Sequence, residues 1–392
     1  MNVSVVEQAN KIFIQTIKNV INARKNESVT VDDQVATRLF KLAQHHDLAH
    51  IFGKEISEQG LIVTEKIAKH FNKQQILSVL RYERINYEYK QLLQTLTQAE
   101  IDFVPLKGSV IRELYPEPWM RTSCDIDILV RENDLKRAVK VLKEKNGYTQ
   151  EGRINYHDVS LFSPSRVHLE LHFNVKEDEK TIDKLLEKIW DYCSPIKENS
   201  HEYRESNEFY VFHAVAHMLY HFASGGCGVR TFMDLYLILK NFDLDQEKLS
   251  KMVEYCGITE FYKQVKTLAF SWFGDGEHSE ISKLMQDYVL DGGVYGTSEN
   301  SMAVKHMTVK KRGSYMWRRI FMSYETLTNR YPTLKKHKWL TPFYQVRRWV
   351  EIIFNKDAGK LKKEMKAYDS VGEEKKKTVE FMFKELGIKD KV

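Results

Sequence analysis

Two short stretches constrain this chain more than any other: CDIDILV at residues 124–130 and VHLELHFNV at 167–175. Both alternate polar and apolar residues with period two, the signature of strands with one face in a core. Asp125 and Asp127 then project to one side and Ile126 and Ile128 to the other. In the second stretch His168, Glu170 and His172 share a face, and Leu169, Leu171 and Phe173 share the opposite one. Two ionised carboxylates on a half-buried strand are costly without a cation or hydrogen-bonding partner beside them. If the two strands are neighbours, three carboxylates, Asp125, Asp127 and Glu170, converge on one edge of a sheet. Oxygen ligation by a few carboxylates, completed by water and phosphate, suits Mg²⁺.

The surroundings of these strands are helical. Up to about Gln98 apolar residues such as Val6, Ala9, Phe13, Ile17 and Val20 recur at helical spacing. Short β-type runs at FVPL, CDIDILV, HDVSLF and VHLELHFNV follow, with a helix over DLKRAVKVLKEKNGY that Gly147 should close. Helical periodicity then returns and persists. The expected organisation is a helical region over 1–98, an α/β core over 99–176, a second helical region completing a cleft over 177–300, and a basic helical region over 301–392.

Charge and cysteine usage bound the rest. Residues 301–392 carry 23 Lys and Arg against 10 Asp and Glu, a net +13 that leaves −7 on the first 300 residues of a chain with net charge +6. A basic region can attract nucleic acid or other anions. No recognisable nucleic-acid motif accompanies it, so a solvated helical surface is the simpler reading and a nucleic-acid partner is not favoured. Cys124, Cys193, Cys227 and Cys256 are scattered with no CxxC, which suggests neither a disulfide framework nor a cysteine zinc site. The N-terminus lacks the layout of a signal peptide. The most apolar window contains three histidines and makes a poor membrane span, so a cytoplasmic protein is expected.

Upstream of the paired aspartates, LKGS lies between the strand FVPL and the helical stretch SVIRELY. Gly108 would let the backbone approach a ligand closely, and Ser109 with the first helical N–H groups would form an anion site. Lys107 and Arg121 would add charge-assisted contacts to phosphate. The order KGS, then the DxD strand, then the carboxylate strand resembles the nucleotidyltransferase superfamily of DNA polymerase beta and the antibiotic nucleotidyltransferases. More narrowly, LKGSVIRELYPEP, DIDILV and LELHF, with the later GGVYG and YP…LTPFYQVRR, resemble a bacterial group described as uncharacterised nucleotidyltransferase family proteins. The resemblance spans most of residues 85–350. It implies an α+β fold, a small mixed-sheet nucleotidyltransferase core embedded in a mostly helical protein.

The resemblance also implies a metal-dependent transfer of NMP from an NTP, with ATP the expected nucleotide, to a hydroxyl of an acceptor, a small molecule or peptide being favoured. Gly108 and Ser109 match the loop that grips the triphosphate, Asp125 and Asp127 the metal-binding pair, and Glu170 the third carboxylate. Mg²⁺ is the expected ion, with Mn²⁺ as a substitute. Lys107 stands where many relatives of the fold carry an apolar residue. Two other readings compete: a noncatalytic nucleotide sensor with the same fold, and an RNA-directed transferase guided by the basic region.

Further candidates are weaker. His172 beside Glu170, and His217 and Arg230 on later helices, are candidate acceptor or nucleotide contacts. His213, His217 and His221 fall at i, i+4 and i+8 on one helical face. That is metal-ligand spacing, but packing against the core is the simpler reading. Arg230 and Asp234, one turn apart, are expected to pair with each other. Cys124 is read as a core residue. Should Glu170 not serve as the third acid, Asp158, Glu177 and Asp178 are the alternatives. Removing either aspartate charge should relieve repulsion and leave stability steady or raised.

Overall fold

The computed structural model describes residues 4–24, 28–152, 157–177, 179–308, 321–354 and 366–391, with Trp317 besides. Helices α1 (Val5–Ile21), α2 (Asp33–His45), α3 (Ala49–Ser57) and α4 (Glu65–Gln98) form the N-terminal part. Two short strands, β1 (Val29–Thr30) and β2 (Leu61–Ile62), pair in parallel between them. Ser4 and Glu7 close a capping box at the start of α1, so the amphipathic pattern has a defined beginning.

A five-stranded mixed sheet follows, built from β3 (Phe103–Pro105), β4 (Asp125–Val130), β5 (Thr149–Gln150), β6 (Asp158–Phe162) and β7 (His168–His172). Its strand order is β3-β4-β7-β6-β5. Only the central β4–β7 pair is parallel. The short helix α5 (Gly108–Ile111) leaves β3, and α6 (Leu135–Asn146) leaves β4. The hairpin of β8 (Cys193–Pro195) and β9 (Tyr203–Glu205) covers the β3 edge, where the Phe103 N–H donates to the His201 carbonyl at 2.9 Å. An edge strand masked in this way is withdrawn from pairing with other chains.

The alternation in β4 and β7 is resolved as the sequence suggests. Ile126, Ile128, Leu169 and Leu171 are fully buried against Leu92 and Leu96 of α4 and Ala138 and Leu142 of α6. The opposite face carries the acidic residues. Over that face run α8 (Asn207–Ser224) and α9 (Val229–Asn241), reached through α7 (Lys180–Leu186). They belong to a larger core shared by α1–α3, by α10 (Gln246–Tyr255), α11 (Thr259–Phe273), α12 (Glu280–Gly292) and α13 (Ser298–Thr308), and by the C-terminal helix Glu373–Glu385. The long α4 joins the two cores: Phe71 packs in the larger one and Leu92 in that beneath the sheet. The fold is α+β, a small sheet within a mostly helical chain. No helix of the described residues is long and apolar enough to cross a membrane.

Candidate active site

Parallel pairing sets Asp125 opposite His168 and Asp127 opposite Glu170. The carboxylates therefore do converge, but as two overlapping groups. Asp125, His168 and Glu170 bring one donor atom each within 4.8 Å of one another, and so do Asp127, Glu170 and His172. Glu170 belongs to both. His168 was placed on the correct face by the alternation yet not read as a donor. Its ring is oriented by the Ser160 hydroxyl, 2.7 Å from Nε2, which leaves Nδ1 4.0 Å from Glu170. The two-strand layout thus offers two positions flanking one shared carboxylate.

A lysine and an imidazole face these acids. His172 Nε2 lies 3.0 Å from Asp127 Oδ1 and 3.5 Å from Glu170 Oε2, and Lys107 Nζ is 3.6 Å from the same Asp127 oxygen. Burial works against the charge on Asp127, but Lys107 and the His172 hydrogen bond outweigh it and hold its pKa far below the usual carboxylate range. Burial also opposes a charged His172, yet its bonds to Asp127 and Glu170 raise its pKa. The His172 bond lowers that of Glu170. Asp125 differs: burial, then Asp127 and Glu170, push its carboxyl upward. A divalent cation would relieve that repulsion, and hard carboxylate oxygens flanked by imidazoles suit Mg²⁺ or Mn²⁺. The donor set fits such an ion, with Asp125, Asp127 and Glu170 to hold it.

The loop before α5 is strained. Lys107 adopts φ +43° and ψ −116°, an uncommon conformation for a residue with a side chain, and the Tyr210 hydroxyl donates to its carbonyl at 2.8 Å. Lys107 and Gly108 line the cleft, whereas Ser109 is buried away from it and its N–H donates to the Leu106 carbonyl. The close neighbour of Gly108 is Arg121. A Cβ at position 108 would stand 2.2 Å from Arg121 Nη1. Gly108→Val is therefore expected to displace this guanidinium, lowering the thermal midpoint and nucleotide affinity together. Thermal melts alongside calorimetric titration with Mg·ATP check both effects.

Arg121 lines the cleft and is held by a nearly buried carboxylate. Its Nη2 lies 3.0 Å from Asp234 Oδ2, and the Tyr115 hydroxyl donates to the other Asp234 oxygen at 2.7 Å. Asp234 thus pairs with Arg121, not with Arg230. The latter, one turn away on α9, donates instead to the Thr122 carbonyl and hydroxyl at 3.0 and 2.9 Å and approaches Asp47 at 3.4 Å. Both members of the Arg121–Asp234 pair are nearly buried. Asp234→Ala would strand the cation, so a loss of about 3 to 5 kcal/mol in unfolding free energy is expected, read by denaturant titration.

The α8 histidines have separate partners. His213 Nδ1 lies 3.2 Å from Glu205, His217 Nδ1 2.6 Å from Glu177, and His221 Nε2 3.1 Å from His217 Nε2. The stripe forms no metal-binding group among the described residues. It is a wall of the cleft, a cavity of about 740 Å³ that also receives Asp47, Arg81, Arg230 and the exposed Tyr295. Asp47 comes from the turn between α2 and α3 and Arg81 from α4, a region whose pattern signalled only scaffold. Cys124 is exposed and lines the cleft, which corrects its reading as core: β4 begins at Asp125, so the strand alternation does not extend to it. All four cysteines are free. Asp158 is buried outside the cleft lining, Glu177 is in it, and Asp178 lies outside the described residues.

An acidic β4–β7 strand pair behind a glycine loop defines the nucleotidyltransferase class. Over residues 32–274 the chain matches the family described as "Uncharacterised nucleotidyltransferase", and it belongs to that family. Neither curated proteins nor solved structures give a match.

Proposed function

We propose that this protein transfers a nucleoside monophosphate from an NTP, ATP being the expected donor, to a hydroxyl of a small molecule or peptide. The observation that carries the reading is the pair of acid groups sharing Glu170, with Lys107 beside them in the same cleft. Asp125, Asp127 and Glu170 would hold Mg²⁺, which when bound offsets negative charge on the reacting phosphate oxygens. Lys107, freed from Asp127 once that carboxylate is engaged, would turn to the triphosphate. Gly108 keeps the loop thin enough for a close approach. Arg230 and Arg81 supply further positive charge in the cleft, and Arg121, held by Asp234, lines it beside the loop. Rate enhancement in such a site rests on positioning and charge stabilisation.

The deciding experiment incubates the protein with base- and phosphate-labelled NTPs in a metabolite extract. Pyrophosphate release with label appearing on an acceptor, both lost in Asp127→Asn, is the expected result. Saturable nucleotide binding without pyrophosphate release would instead identify a sensor. Label on RNA, with affinity falling steeply as salt is added, would identify an RNA-directed enzyme.

A further inference from the structure

The nucleotidyl reading leaves one requirement open, a group to take the proton of the attacking hydroxyl. Glu170 serves poorly, because it is shared by both acid groups and its Oε2 already lies 3.5 Å from His172 Nε2. On the α8 wall of the same cleft stands another arrangement. Glu177 lies 2.6 Å from Nδ1 of His217, and Nε2 of His217 lies 3.1 Å from Nε2 of His221. All three line the cavity with Lys107 and Asp127.

The bond lengths fix a direction for the protons. A carboxylate beside Nδ1 selects the tautomer with hydrogen on that nitrogen, and therefore leaves Nε2 as the lone-pair end. His221 then donates its own Nε2–H to that lone pair. We propose that His217, oriented by Glu177, is the general base for the acceptor hydroxyl, which takes the place His221 occupies in the absence of substrate. The proposal rests on the nucleotidyl-transfer reading. In the step, the hydroxyl proton passes to Nε2 of His217 and the oxygen's electron pair forms a bond to the α-phosphorus. The bond from that phosphorus to the bridging oxygen breaks, and pyrophosphate leaves with its electron pair. The Glu177 carboxylate then lies against the imidazolium.

The charged neighbours agree with this assignment. Burial and Lys107 lower the pKa of His217, while Glu177 raises it and His213 lowers it again. Asp127 on β4 also faces the group. His221 is held down to about 4 by burial and His217, so it stays a neutral donor. The net effect lowers the pKa of His217, the direction that favours the neutral imidazole a base requires.

The test uses the full chain with Mg·ATP and glycerol as the hydroxyl probe, following pyrophosphate release from about pH 5 to pH 9, across the imidazole range. His217→Asn is expected to lower the rate by about 10²-fold or more while Mg·ATP affinity persists, and to remove the acid limb of the profile. Glu177→Gln, nearly isosteric, should move that limb to lower pH, because the imidazolium loses its counter-carboxylate. Imidazole ¹⁵N spectra of wild type should show His217 neutral, with its hydrogen on Nδ1. An unchanged rate and limb in His217→Asn, with wild type active, would sink the base assignment alone, and so would hydrogen on Nε2. Wild type that fails to bind Mg·ATP would sink the nucleotidyl reading and this proposal with it. Binding without pyrophosphate release would count against both.

Discussion

Asp127→Asn is expected to reduce nucleotidyl transfer by about 10³-fold or more, since an uncharged amide no longer holds the cation that offsets phosphate charge. Asp125→Asn should be comparably inactive. Their effects on stability should be opposite, contrary to the expectation that removing either charge merely relieves repulsion. The Asp127 charge is stabilised by Lys107 and His172, so the amide should cost about 1 to 3 kcal/mol by leaving Lys107 and the His172 ring short of a charged partner. Asp125 carries a carboxyl pushed upward by burial, Asp127 and Glu170, so its amide should raise the thermal midpoint in metal-free buffer. The pH dependence gives the sign. A depressed folded pKa contributes stability that is present above the unfolded value, near 4, and lost as pH falls toward the folded value. A raised folded pKa costs stability above that same unfolded value and releases it on acidification. Asp125→Asn should therefore converge on wild type from above as pH falls to about 4, and Asp127→Asn from below only as pH falls further. Thermal melts with chelator across that range check it. Near-wild-type transfer in either variant would remove that aspartate from the site.

Much of the candidate site was legible because it is local. Period-two alternation in DIDILV and HLELH assigned each side chain to a face without reference to any distant residue, and the structure pairs those strands with Asp127 opposite Glu170. Pairings that depend on long-range packing were not legible. Asp234 meets Tyr115 across 119 residues of sequence and Arg121 across 113, and helical spacing favoured the wrong partner, Arg230. The His217–Glu177 contact spans 40 residues. A helix does begin at this loop, but it opens at Gly108 after the strained Lys107, and Lys107 and Gly108 line the cleft while Ser109 is buried. Cys124 shows the complementary limit, since alternation holds only while the strand does. The short strands β1, β2, β8 and β9 had no signal of their own and are defined by their pairing.

Glu170→Gln should separate binding from chemistry. The glutamine keeps the size and one acceptor oxygen of the side chain, and its apolar neighbours Leu169 and Leu171 remain fully buried, so the sheet should stay intact. What changes is the charge shared by the Asp125–His168 and Asp127–His172 groups. With one acid lost to both, two metal positions cannot be filled together, and the rate should fall by about 10²- to 10³-fold. Nucleotide binding draws on Lys107, Gly108 and the remaining aspartates, so Mg·ATP affinity should fall far less. His172 also loses one of the bonds that raise its pKa, which should move downward in the variant. Raised Mg²⁺ or Mn²⁺ should restore part of the rate if Glu170 acts as a ligand, because mass action refills a weakened site. If Glu170 were the base instead, added metal would restore nothing and the acid limb of the rate profile would disappear with the carboxylate. Glu170→Gln with full turnover would exclude both roles, leaving Glu177 as the acid still facing the cleft.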